Sequence, residues 1–121
     1  MDDRRKYKRF PVQLSAQYLG ENGKKWKECS VINISREGMG IEVYMREKIH
    51  VGSILQLEID VPVKNKQISV MGTLMWIKKL KGNPMFNFVG GVMLITIDPE
   101  DKWTLLDYAY EGWHRKGGEV E

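Results

Sequence analysis

Two short runs in this sequence hold side chains that could grip an anionic, hydrogen-bonding ligand. The first is Arg5-Lys6-Tyr7-Lys8-Arg9, with Arg4 immediately before it. In an extended segment residues i and i+4 face the same side, about 13 Å apart. Two guanidinium forks at that separation address two parts of one flat anion. Arginine suits this better than lysine: its planar fork pairs with a phosphate or with the O6 and N7 edge of a purine, and it stacks on a base. Phe10-Pro11 stiffens the exit from this segment. The second run is Asn33-Ile34-Ser35-Arg36-Glu37-Gly38, falling where a strand should end and a turn begin. Asn33 and Ser35 share a face and offer an amide and a hydroxyl to a base edge or a phosphate. Gly38 allows positive φ or a close approach to the backbone. Taken singly, the first run reads as a solvated basic tail and the second as an ordinary polar turn.

Catalytic chemistry finds little support. The two histidines, His50 and His114, fall on different elements, and with the single cysteine, Cys29, they do not supply a conventional metal site. No nucleophile elbow, phosphate-binding P-loop or His-Glu-x-x-His motif occurs. Ser30 and Ser35 lack an evident base. Cys29 reads as a half-buried strand residue in a reducing compartment, with no second cysteine to pair with. The expectation is a protein that is not an enzyme and has no cofactor or metal.

The elements that would position these residues are mostly strands. Val12, Leu14, Ala16 and Tyr18 alternate with polar residues, and Gly20-Glu21-Asn22-Gly23 marks a hairpin into a second strand over Lys25 to Asn33. Gly38-Met39-Gly40 reads as a break before Ile41, Val43 and Met45. Leu55, Leu57, Ile59 and Val61 give the cleanest alternation. Ile68, Val70, Gly72, Leu74 and Trp76 are read as one face of the next strand, and Phe86 to Ile95 as the last. The alternation places Trp76 and Phe88 inside. The period then changes. Asp98 precedes Pro99 as an N-cap, and Trp103, Leu106, Tyr110 and Trp113 recur at helical spacing up to Gly117-Gly118. The expected architecture is mainly β: a small six-stranded antiparallel β-barrel with a C-terminal α-helix over one opening or edge. The expected division is a basic ligand-binding arm over 1–11, the barrel with its helix over 12–116, and a disordered tail over 117–121.

With 121 residues the chain suits one domain. Residues 1–10 hold five cations and two anions, which equals the whole chain's net charge of +3; the other 111 residues carry fourteen of each sign. A nucleic-acid-tracking protein spreads its cations over a face or groove. An excess in one arm favours a small anion, so no DNA or RNA partner is expected. No apolar run reaches the roughly 20 residues that cross a bilayer, and the N-terminus lacks an apolar signal core. A cytoplasmic protein without membrane insertion is expected.

Taken together, Arg5-x-x-x-Arg9, a gap of 23 residues, and Asn33-x-Ser35-x-x-Gly38 resemble the paired signature of the PilZ family. The resemblance extends over residues 4 to 113, through Gly72-x-Leu74-x-Trp76, Gly90-Gly91-Val92 and the terminal helix. It implies a receptor for cyclic di-GMP, with Arg5 and Arg9 on guanine and phosphate groups, Asn33 on a guanine edge, and Ser35 and Gly38 lining the ligand surface. Arg4 would help decide whether one or two stacked ligands bind. Asn33 stands where Asp is commoner, so it has only one oxygen and no charge for guanine N–H donors. The expected mechanism is ligand-driven ordering of a mobile arm, read by a separate effector protein. The rival readings are a PilZ-like protein–protein adaptor that binds no nucleotide, and an RNA- or single-strand-binding barrel.

Overall fold

A computed structural model describes residues 8–21, 23–44, 49–62, 65–82 and 88–115. Six strands, β1 (Phe10–Gly20), β2 (Lys27–Ile34), β3 (Gly38–Val43), β4 (Ile54–Val61), β5 (Lys66–Lys79) and β6 (Phe88–Ile97), are followed by helix α1 (Pro99–Arg115). The strands close into an antiparallel barrel in the order β1-β2-β3-β6-β5-β4. Closure pairs every strand on both sides and leaves no open edge. Strand β1 begins at Phe10, so the last two residues of the segment read as an arm already belong to the barrel. The remainder of that segment before Lys8, with Arg4 and Arg5, lies outside the described residues, as does the tail over 117–121.

The interior is filled by inward residues of alternating strands. Leu14, Val31, Ile41, Leu57, Ile68 and Leu74 are each at most 1% exposed. β4 shows the cleanest in–out pattern, with Leu55, Leu57, Ile59 and Val61 all inward. Cys29 lies in this core, and burial pushes its thiol from the ordinary 9.0 to about 12.

Three features depart from the sequence reading. Gly38-Met39-Gly40 does not break the chain; it opens β3, paired across from Met93, Val92 and Gly91 of β6. Trp76 does not share the face of Leu74. The β5–β6 register shifts between these two residues, a bulge that turns Trp76 outward to 40% exposure. In the helix, Leu105, Leu106 and Ala109 are buried, whereas Trp103 and Tyr110 are 57% and 47% exposed. Small Ala109 brings the helix close to the barrel, and the aromatics flank the contact.

Asp98 caps α1 as expected: its Oδ1 accepts from the N–H groups of Glu100 at 2.9 Å and Asp101 at 3.4 Å. The first turn is tied to the start of β5 by Lys66 Nζ, 2.5 Å from Asp101 Oδ1. That hydrogen bond raises the Lys66 ammonium above its usual range. Phe10 holds the other end, edge-on to Tyr110 and Trp113 at ring separations of 5.7 and 5.5 Å. Among the described residues no helix is long and apolar enough to cross a membrane.

Candidate functional site

The turn from β2 to β3 is built around one hydroxyl. Ser35 Oγ accepts from Gly38 N at 3.2 Å and Glu37 N at 3.4 Å, and donates to Gly38 O at 3.3 Å. The Ser35 backbone N–H also donates to Gly38 O, at 2.9 Å. These contacts use the hydroxyl's donor and both of its lone pairs. At 6% exposure, Ser35 shapes the turn from within and sets Arg36 and Glu37 out in solvent. The turn is pinned sideways as well, because Leu94 N of β6 donates to Glu37 O at 2.8 Å.

Beside this turn, four strands present one continuous row. Asn33 of β2 pairs with Gly40 of β3, Gly40 with Gly91 of β6, and Gly91 with Trp76 of β5. Two buried glycines in the middle leave room for an amide and an indole to fold over the strands. A methyl group on Gly40 would stand 2.6 Å from Asn33 Nδ2, and one on Gly91 would stand 2.0 Å from Trp76 Nε1. Asn33 Oδ1 accepts from Gly40 N at 2.9 Å, which fixes the amide across the strand boundary. Its NH2 group is the part left to donate elsewhere. The result is a flat platform with donors at one end and a π face at the other.

Arg9 precedes Phe10, and Phe10 pairs with Ile34, so Arg9 stands level with Ser35 on the neighbouring strand. The structure therefore brings Arg9, Asn33, Ser35 and Gly38 together across β1, β2 and β3. Arg4 and Arg5 lie outside the described residues. Lys8 lies with its Nζ 4.3 Å from the centre of the Trp113 ring. A groove of about 760 Å³ runs from the Arg36–Glu37 turn to the helix, between Met93 and Ile95 of β6 and Trp103 of α1. Arg36 lines it, its guanidinium 6.0 Å from the Trp103 ring centre. The groove walls are largely apolar, whereas the polar groups able to meet phosphates and base edges converge on the platform and turn.

Sequence reasoning missed Trp76, Gly40 and Gly91 as site residues. Alternation carries no sign of a bulge and so puts Trp76 inside. Gly38-Met39-Gly40 reads in the sequence as a chain break. The one available signal was the pairing of Gly40 with Gly90-Gly91 as two glycine-bearing strands, which becomes meaningful only once β3 and β6 are neighbours.

The family model described as PilZ domain matches residues 3–111. The chain belongs to the PilZ domain family. Among solved structures it is similar to the Bacillus subtilis inhibitor of motility MotI/DgrA, with a TM-score of 0.78 and 20% identity over 95% of this chain and 53% of that one. It is also similar to the PilZ domain of YcgR from Escherichia coli with c-di-GMP, with a TM-score of 0.73 and 14% identity over 95% and 98% of the two chains. A third similar structure is the K. pneumonia MrkH–c-di-GMP complex, with a TM-score of 0.67 and 13% identity over 95% and 57%. The chain thus spans about half the length of MotI and of MrkH. No curated protein matches the chain.

Proposed function

We propose that this protein is a cyclic di-GMP receptor that acts as an adaptor and performs no chemistry on its ligand. The observation that carries the proposal is the platform from Asn33 to Trp76, flanked by Arg9 and the Ser35–Gly38 turn. A purine stacks on the exposed side of Trp76, which covers Gly91, and its acceptor edge meets the Asn33 NH2. The two phosphates of the ligand meet the cations Arg4, Arg5 and Arg9 of the N-terminal arm, with the exposed Arg36 close by. Gly38 is buried and lets β6 approach at Val92, so it supports the ligand surface by shaping the turn. Signalling then passes through ordering of the arm, which changes the surface presented to a separate effector protein.

Calorimetric titration with cyclic di-GMP, with cyclic di-AMP and GMP as controls, tests this. Saturable binding in the micromolar range or tighter is expected. Arg9→Ala should weaken it by roughly 10- to 100-fold, the equivalent of about 1.5–3 kcal/mol for a charge-assisted hydrogen bond. The stoichiometry reports the role of Arg4. No heat and no thermal stabilisation at high ligand would move the protein to the class of nucleotide-independent adaptors. Hydrogen exchange over residues 4–10 should slow on saturation; unchanged exchange refutes the ordering mechanism while leaving the binding reading intact.

A further inference from the structure

The charge balance of the chain outside its arm is not a uniform mixture. From Asp98 to Arg115 five carboxylates stand against Lys102 and Arg115, and Lys66, Lys8 and Arg36 meet the helix from outside it, so these groups balance at the helix end of the barrel. The opposite mouth is formed by the β1–β2 hairpin, the segment entering β4, and the far ends of β5 and β6. Lys27 is paired with Tyr18 there, and Val43 and Lys79 both pair with Phe88. Glu21 Oε1 accepts from Ile54 N at 2.6 Å, and Gly52 N donates to Leu74 O at 2.7 Å, which joins the hairpin, the entering segment and β5 into one rim. Among the described residues this rim carries Lys24, Lys25, Lys27, Lys78, Lys79 and Lys81. The carboxylates at the same levels are Glu21, Glu28, Glu42 and Glu58, which leaves an excess of two positive charges among these residues.

The same rim exposes apolar side chains between the lysines. Val51 is 59% exposed, Met75 49%, Tyr44 41%, and Trp26 and Ile54 38% each. Lysine stems with their ammonium heads at the tip, interfacial Trp and Tyr, and bare aliphatic side chains are what an anionic lipid surface selects. Single-stranded nucleic acid would call for aromatics lined along one groove to stack successive bases. Here the aromatics are separated around a ring, and Val51, Ile54 and Met75 offer no stacking face. We infer that the barrel mouth opposite α1 is a peripheral docking surface for anionic phospholipid headgroups. It adsorbs by lysine–phosphate attraction and shallow burial of Val51, Trp26 and Ile54, with no segment crossing the bilayer.

This inference is independent of nucleotide binding. Its test is co-sedimentation of the full chain with phosphatidylcholine vesicles, with and without phosphatidylglycerol. Binding should be at least about tenfold stronger to the anionic vesicles and fall steeply with salt. Lys78→Glu with Lys79→Glu, or separately Lys24→Glu with Lys25→Glu, should reduce it at least about tenfold while thermal unfolding is unchanged. Val51→Asp should reduce it several-fold, and a blue shift of tryptophan emission on binding should vanish in Trp26→Phe. Arg115→Glu, at the far end, should leave vesicle binding unaltered. Equal partition to neutral and anionic vesicles, no partition at all, insensitivity to Val51→Asp, or tighter binding to mixed-sequence RNA than to vesicles at equal phosphate would each overturn the assignment.

Discussion

Asn33 illustrates how one contact narrows what a residue can recognise. Its oxygen is held by the Gly40 N–H, so the amide meets a ligand chiefly as a donor. An aspartate in the same place would keep the Gly40 bond with one oxygen and offer the other as an acceptor. Asn33→Asp is therefore expected to leave stability within about 1 kcal/mol while shifting preference among purine ligands toward those presenting N–H donors. Competition calorimetry with guanine- and adenine-containing cyclic dinucleotides reads this out, and unchanged selectivity would remove Asn33 from base recognition. Gly91 tests the other end of the platform. A methyl group there collides with Trp76 Nε1, so Gly91→Ala should displace the indole, at a cost of about 1–3 kcal/mol in stability, and abolish any ligand quenching of its fluorescence. Intact quenching in that variant would place the ligand elsewhere.

Helix α1 is fastened at both ends by different means. The Asp98 cap and the Lys66–Asp101 pair hold the first turn; Phe10, wedged against Tyr110 and Trp113, holds the last. Because Phe10 also pairs with Ile34 beside the Ser35–Gly38 turn, one residue links the base of the arm to the far end of the helix. Phe10→Ala should cost about 2 kcal/mol, less than a fully buried phenylalanine. It should raise hydrogen exchange over residues 108–115 without affecting residues 99–104. Equal exchange along the helix would show that the cap, not the wedge, governs its order. How legible each element was followed its local physics. β4 and the Asp98-Pro99 start were readable because strict alternation and a cap are local signals. The outward turn of Trp76 was not, since a bulge depends on which strand lies opposite. The helical spacing identifies only part of the buried face. Leu106 is buried, but Leu105 and Ala109 form the inner face with it, because proximity to the barrel favours small side chains over the large aromatics that the periodicity picked out. The two-part motif was legible as a spacing, while the platform beside it was not, because its four residues come from four strands.

The whole barrel rises or falls with its core, and Cys29 reports on it. The buried thiol stays protonated up to about 12, whereas an unfolded one ionises near 9.0. Between those values the unfolded chain binds fewer protons than the native one, so stability should decline as pH climbs through that window and be unaffected by this group below it. Denaturant melts of wild type minus Cys29→Ala from pH 8 to 11 isolate the slope; a flat difference would mean that the thiol is accessible in the native state. The gathering of lysines at one mouth shows at this level alone, since only the closed strand order brings Lys24, Lys25 and Lys27 to the same rim as Lys78, Lys79 and Lys81. A last consequence follows from Phe10 meeting Trp113. The chain enters and leaves the domain at the same place, so the barrel is a closed cassette with both leads on one side. A short linker could join those leads and new ends could be cut at the β1–β2 hairpin, giving a circular permutant with the same barrel. The same geometry lets the domain be spliced into a surface loop of another protein without pulling that loop apart.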